Sequence, residues 1–139
     1  MTDLTLEHVR AISHDLAKRI MTWDEPIPGF DSRFPNLLES CLLTPQQTFD
    51  GKPLYPTLTS RAAILFYLLI KDHPFKNGNK RIAVTSLLVF LWLNGRWMKT
   101  QPTKLYRFAL LIAQSDPEFK EGMIQFIESY VKKRLVRLS

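Results

Sequence analysis

The chain has 139 residues, of which 45% are hydrophobic and 23% charged, and a net charge of +6. That length fits one domain able to bury roughly two-thirds of its unfolded surface, and the composition is an ordinary globular one. The single cysteine, Cys41, excludes an internal disulfide and reads as a buried structural thiol in a reducing compartment.

The start, Met1-Thr2-Asp3-Leu4, lacks the cationic and apolar regions of a signal peptide, and the apolar runs at 62–70 and 82–93 are too short to span a bilayer. A cytoplasmic protein without a membrane partner is therefore expected. The excess of cations favours an acidic partner, which could be a nucleotide, an acidic protein segment or nucleic acid.

No repeat or low-complexity stretch interrupts the chain. Thr5 is suited to cap a first helix running to about Met21, with an apolar stripe of Leu6, Val9, Ile12, Leu16 and Ile20. Pro26, Pro28 and Gly29 mark Asp24 to Asp31 as a loop, and a short second helix is expected from Asn36 to Leu43. Asp50-Gly51 is a favoured hairpin turn with Thr48, Phe49, Leu54 and Tyr55 on its arms. Pro53 and Pro56 confine those arms to edge strands, so a small flap is expected, and no other β-structure.

Thr57 or Thr59 caps a third helix ending near Lys71, apolar without a break from Ala62 to Ile70. Ile82 to Leu93 is a second run of this kind, stopped by Asn94-Gly95. Helices apolar all round lie inside a fold, so these two form its centre. Two amphipathic helices follow, about Thr103–Gln114 and Pro117–Arg134, with Ser115 or Asp116 as the break and cap. Four cations in the last eight residues, Lys132, Lys133, Arg134 and Arg137, read most simply as a solvated helix end.

The two central helices meet at His73-Pro74-Phe75-Lys76-Asn77-Gly78-Asn79-Lys80-Arg81. The first amides of a helix lack internal partners and carry partial positive charge, which suits an anion where glycine lets the backbone approach it. Gly78 and Asn79 occupy that position. Lys80 and Arg81 fall in the first helical turn, where cations oppose the dipole, and a bound polyphosphate would resolve the conflict. A histidine titrates near neutral pH, so His73 at the opposite lip suits a general base, and Asn77 can offer a carbonyl oxygen to magnesium. Phe75 is better placed to plug the loop into the core.

A single histidine near a helix start is more often structural than catalytic, so the competing reading leaves a basic binding module. His8 and His14 do not share a helix face well, and no His, Cys and carboxylate spacing for zinc occurs. Nor is there a carboxylate cluster for a two-metal nuclease, so direct nucleic-acid chemistry is not expected.

This nine-residue segment resembles the core motif of the Fic/Doc superfamily, and within it the death-on-curing (Doc) branch of toxin–antitoxin toxins. The resemblance extends from Gln47-Thr48-Phe49-Asp50-Gly51-Lys52-Pro53-Leu54-Tyr55-Pro56-Thr57 down to Asn94-Gly95, covering roughly residues 45–95. It implies an all-α bundle, with the motif between two central helices and a β-hairpin flap over the cleft. It implies that His73 deprotonates a hydroxyl of a target protein, that Gly78 and Asn79 line an anion hole, and that Lys80 and Arg81 hold phosphates. The flap near Leu54 and Tyr55 would dock the target by strand addition.

Lys80 stands where the AMP-transferring branch has glycine, and Val84 where that branch has a second arginine. Both match the Doc branch, in which the nucleotide lies reversed and the terminal phosphoryl group of ATP is transferred. The target implied is a threonine of elongation factor Tu, a translation factor. AMP transfer is the alternative within the family.

Asn77 departs from the acidic metal ligand usual there and should hold magnesium more weakly. The family's self-inhibitory Ser/Thr-x-x-x-Glu-Gly/Asn pattern is missing, since Glu121-Gly122 has Pro117 in the serine position. Inhibition would then come from a separate antitoxin whose acidic segment folds onto this basic chain.

Overall fold

The computed structural model describes residues 1–138. Its helices are α1 (Leu6–His8), α2 (His14–Arg19), α3 (Leu37–Leu43), α4 (Leu58–Lys71), α5 (Asn79–Leu93), α6 (Pro102–Gln114) and α7 (Lys120–Arg134). The fold is a helical bundle with a small antiparallel hairpin, as expected. α4 packs against α5 on one side and α7 on another, and residues Ala62 to Ile70 are buried without exception. The side chains of Phe66, Phe75 and Phe90 lie wholly inside, each contributing on the order of 1.5–3 kcal/mol of apolar burial.

Capping follows the sequence. Thr5 Oγ1 accepts from the His8 amide (3.2 Å) while His8 Nδ1 accepts from the Thr5 amide (3.0 Å), so two otherwise unpaired donors are satisfied. Thr57, not Thr59, opens α4, in a reciprocal pair with Ser60. Thr59 is buried and donates to Glu128 Oε2 of α7 at 2.8 Å.

The first helix departs from its expected stripe. Between α1 and α2 lies a π-helical turn, Val9–Ser13, which holds an extra residue. Below that turn the inward face has moved on by one position. Ser13, His14 and Ala17 are buried, and Leu16 is 42% exposed. Ile12, Leu16 and Ile20 instead border an apolar groove of about 400 Å³, together with Leu88 and Trp92 of α5 and Trp97. The buried polar group is answered from α5, where Thr85 Oγ1 donates to Ser13 O at 2.7 Å and Ser86 Oγ lies 3.1 Å from Ser13 Oγ.

The flap is not the only β-structure. A second antiparallel ribbon pairs β3 (Arg96–Met98) with β4 (Leu135–Arg137), setting Trp97 opposite Val136. It joins the turn after α5, where Gly95 has φ +71°, to the end of α7. No hairpin turn links these strands in sequence, so the local pattern carries no sign of them. The basic end of α7 is solvated as expected, with Lys132, Lys133 and Arg137 exposed and Arg134 half-buried. Arg134 lies over the Tyr130 ring at 3.6 Å, and Lys132 pairs with Glu128 at 3.6 Å.

Candidate active site

The motif loop is built by an inward plug and an inward bracket. Beyond Lys71 and Asp72, His73 turns the chain with φ +48°, a left-handed conformation costing a non-glycine residue about 1–2 kcal/mol. Pro74 follows, buried, its carbonyl accepting from the Phe34 amide at 2.9 Å. Phe75 is fully buried beneath His14 and Phe30, with ring centroids 5.5 and 6.1 Å away. The Asn79 side chain closes the loop by engaging both backbone groups of Phe75. Its Oδ1 accepts from the Phe75 amide (2.9 Å) and its Nδ2 donates to the Phe75 carbonyl (2.7 Å).

Gly78 then begins α5 with φ +80°. A Cβ there would also stand 2.6 Å from Ile27 Cγ1, so the 20s loop leaves no room for a side chain. No side chain caps α5, and its first internal bond runs from the Ile82 amide to Gly78 O at 3.0 Å. The amides of Asn79, Lys80 and Arg81 therefore have no intrahelical partner, which is the arrangement that accepts an anion.

This terminus borders a polar cleft of about 350 Å³ lined by Asp24, Glu25, His73, Lys76, Asn77, Gly78, Asn79, Lys80 and Tyr106. His73, Asn77, Gly78, Asn79 and Lys80 thus meet in one place, although the Asn79 side chain turns inward and leaves only its backbone to the cleft. With its amide oriented to satisfy both neighbours, Asn77 Nδ2 donates to Glu25 Oε2 (3.1 Å) and to Lys76 O (2.9 Å), leaving Oδ1 for another partner.

Arg81 lies elsewhere. It is 2% exposed, and its guanidinium gathers carbonyls at and beyond the end of α2. Nη1 donates to Ile20 O (3.1 Å), Met21 O (3.3 Å) and Ala17 O (3.5 Å), and Nη2 to Glu25 O. The Asp24 carboxylate stands 3.8 Å from Nε, which has no hydrogen-bond partner. A helix end rich in free carbonyls carries partial negative charge, so a cation belongs there. Half of the conflict inferred from two cations at a helix start is thereby resolved inside the protein.

Sequence reasoning missed Asp24, Glu25 and Tyr106. Tyr106 donates to Asp24 Oδ2 at 2.9 Å. Burial, and then the Asp24 carboxylate, push its phenol up to about 12. Burial works to raise the Asp24 pKa, but the Glu25 amide, the Tyr106 hydroxyl, Arg81 and Lys80 together outweigh it and hold the carboxyl below its ordinary value. Asp24 and Glu25 fall in a stretch that reads only as loop, and Tyr106 in an amphipathic helix where an aromatic signals core, so no local pattern marks them.

The flap consists of β1 (Thr48–Phe49) and β2 (Lys52–Pro53), joined through Asp50 at φ +52° and Gly51 at φ +74°. Positive φ at both turn residues is the hairpin geometry that Asp-Gly favours. Leu54 closes the hairpin with a bond from its amide to Gln47 O (3.0 Å), and its side chain is half exposed. Tyr55 lies past the ladder, half-buried against the core. None of the flap residues lines the His73 cleft. Among the described residues no group of three or more His, Cys, Asp or Glu side chains is arranged to hold a metal ion, and no helix is long and apolar enough to cross a membrane.

A helical bundle with an uncapped, glycine-led helix start facing a histidine is the arrangement expected of the Fic/Doc superfamily. The chain belongs to the Fic/DOC family, whose model matches residues 3–91. It is similar to "Toxin Doc" of Mycolicibacterium smegmatis (strain ATCC 700084 / mc(2)155), with 39% identity over 59 residues. That stretch is 42% of this chain and 45% of that toxin, so the chain matches less than half the length of the relative. No solved structure matches the chain significantly.

Proposed function

We propose that this chain is a Doc-type toxin that transfers the terminal phosphoryl group of ATP to a hydroxyl of a target protein. The observation that carries the reading is the uncapped start of α5, with Lys80 beside it, sharing one cleft with His73. The free amides and the ammonium suit phosphate oxygens, where charge concentrates during phosphoryl transfer. His73 takes the proton of the target hydroxyl. The hydroxyl oxygen bonds to the terminal phosphorus, and the bond from that phosphorus to the bridging oxygen breaks, releasing ADP. Val84, fully buried in α5, offers no second cation to the distal phosphate, which favours phosphoryl over adenylyl transfer.

Magnesium fits this site as a companion of the nucleotide. Asn77 Oδ1 and the exposed Glu25 carboxylate are oxygen donors of the kind it takes, and the phosphates complete the set. The ion would neutralise phosphate charge that otherwise faces Asp24 and Glu25.

The target class that fits the family reading is a translation factor, elongation factor Tu first, docked along the flap at Leu54 and Tyr55 in the cytoplasm. The inhibitory partner is an antitoxin with an acidic segment, drawn by the +6 charge. The apolar groove of Leu16, Ile20, Trp92 and Trp97 suits the apolar face of such a segment folded as a helix.

Intact mass spectrometry of elongation factor Tu, after incubation with this chain, ATP and magnesium, tests the reading. A phosphoryl-sized gain that His73→Ala abolishes is expected. An adenylyl-sized gain would replace phosphoryl by AMP transfer, and an undiminished gain with His73→Ala would refute base catalysis by His73.

A further inference from the structure

We propose that Trp23, braced by the buried Tyr106, forms a stacking platform for the base of the nucleotide beside the phosphate cleft. This rests on the nucleotide reading above and adds what holds the other end of that ligand. The loop from Ile20 to Glu25 has no regular structure, yet it is fixed at several points. Met21 adopts φ +46°, and the Asp24 amide donates back to Met21 O at 3.1 Å. Asp24 Oδ1 accepts from the Glu25 amide at 2.8 Å, and buried Arg81 binds the carbonyls of Ile20, Met21 and Glu25. A loop held this firmly displays its side chains in one arrangement.

Between buried Met21 and half-buried Asp24 the loop presents Trp23, which is 73% exposed. An indole so exposed adds little to the core. Among the described residues its one aromatic neighbour is Tyr106, with centroids 5.8 Å apart and planes at 78°, an edge-to-face contact that braces the indole, while its exposure leaves ring surface open to a ligand. Tyr106 in turn lines the cleft that holds His73 and Lys80, and its hydroxyl is tied to Asp24. Platform and anion site are therefore contiguous through a single residue. A polar cleft for phosphates bordered by a free aromatic face matches a nucleoside triphosphate better than it matches inorganic phosphate or an acidic peptide. Stacking tolerates any base, so the platform adds affinity without strict base selection.

The test compares two probes, MgATP and magnesium tripolyphosphate, by calorimetric titration of the full chain. The expected result is that Trp23→Ala weakens MgATP roughly tenfold or more while leaving tripolyphosphate unchanged. Trp23→Phe, which keeps a π-face, should recover most of the loss, and Lys80→Ala should weaken both probes alike. MgATP affinity unaltered by Trp23→Ala, or an equal loss for both probes, overturns the platform. Wild type binding tripolyphosphate as tightly as MgATP also overturns it but leaves the phosphate cleft standing. Wild type binding neither probe overturns the nucleotide reading and the platform with it.

Discussion

Arg81→Leu separates two roles for the motif arginine, phosphate ligand and structural tie. The leucine leaves the carbonyls of Ile20, Met21 and Glu25 without their donor, and Ala17 O loses a longer contact. A buried acceptor deprived of its partner costs about 1–3 kcal/mol. The lower end applies, because a pocket of about 260 Å³ beside Arg81 can admit water to these oxygens. Three carbonyls then give roughly 3 kcal/mol. Asp24 adds little, since its carboxylate is 29% exposed and its charge is partly answered by solvent.

A loss of roughly 3 kcal/mol is a large share of the ~5–15 kcal/mol typical of a domain, and it corresponds to a fall in Tm of roughly 10 °C. Urea unfolding followed by circular dichroism reads it as a lower midpoint at unchanged slope. Arg81→Lys, reaching fewer carbonyls, should lose about half as much. The structural role of Arg81 is refuted if Arg81→Leu costs less than about 1 kcal/mol while tripolyphosphate binding collapses, for Arg81 would then serve phosphate first and the loop only incidentally.

Three further substitutions or titrations probe the same region. Gly78→Ala combines left-handed strain with a 2.6 Å approach to Ile27, and should cost roughly 2–4 kcal/mol in urea unfolding. Adding Ile27→Ala should remove the contact part and leave the strain, so equal losses in the single and double variants would contradict this. His73→Gly relieves φ +48° and should raise the stability read by urea unfolding by up to about 1 kcal/mol while abolishing the proposed transfer, whereas a destabilised variant would show that the histidine side chain is structural. Burial holds the His14 pKa below its ordinary value, helped by Lys18 and opposed by the bond of Nε2 to Pro28 O (2.9 Å). The unfolded chain then binds the proton more readily, so stability from this group is complete above about pH 6.5 and falls as pH drops through that value towards the lowered one. An NMR titration placing the His14 midpoint at or above that of a free histidine would remove the basis for this acid sensitivity.

What the sequence made legible was whatever short-range chemistry encodes. Thr5, the Thr57/Thr59 pair and Asp50-Gly51 marked a cap, a cap narrowed to two residues and a turn, because each acts within three residues of itself. The unbroken apolar runs located α4 and α5, since only a central helix buries every face. Two features defeated this kind of reading. The π-helical turn at Val9–Ser13 inserts a residue without any breaker in the sequence, and shifts the buried face from Leu16 to Ala17. The ribbon of Arg96–Met98 with Leu135–Arg137 pairs segments almost 40 residues apart, with no local turn to announce it. The site shows the same division. His73 to Lys80 form one lip by local geometry, whereas the opposite wall arrives from the 20s loop and from α6.

The motif and the 20s loop are nonetheless matched to one another more closely than their separation implies. Gly78 must lack a Cβ because Ile27 occupies that space, and Arg81 must be a cation because the loop turns its carbonyls inward. Two motif residues that read as phosphate binders therefore also specify where the loop sits. The loop in return brings Asp24 and Glu25 into the cleft, where Glu25 orients Asn77 and Asp24 anchors Tyr106. A carboxylate in the 77 position would face Glu25 at the distance where Asn77 now donates a hydrogen bond, and the like charges would repel. Asn77 is thus the residue that suits Glu25 at this position, and in urea unfolding Asn77→Asp should cost stability in wild type but less in Glu25→Gln.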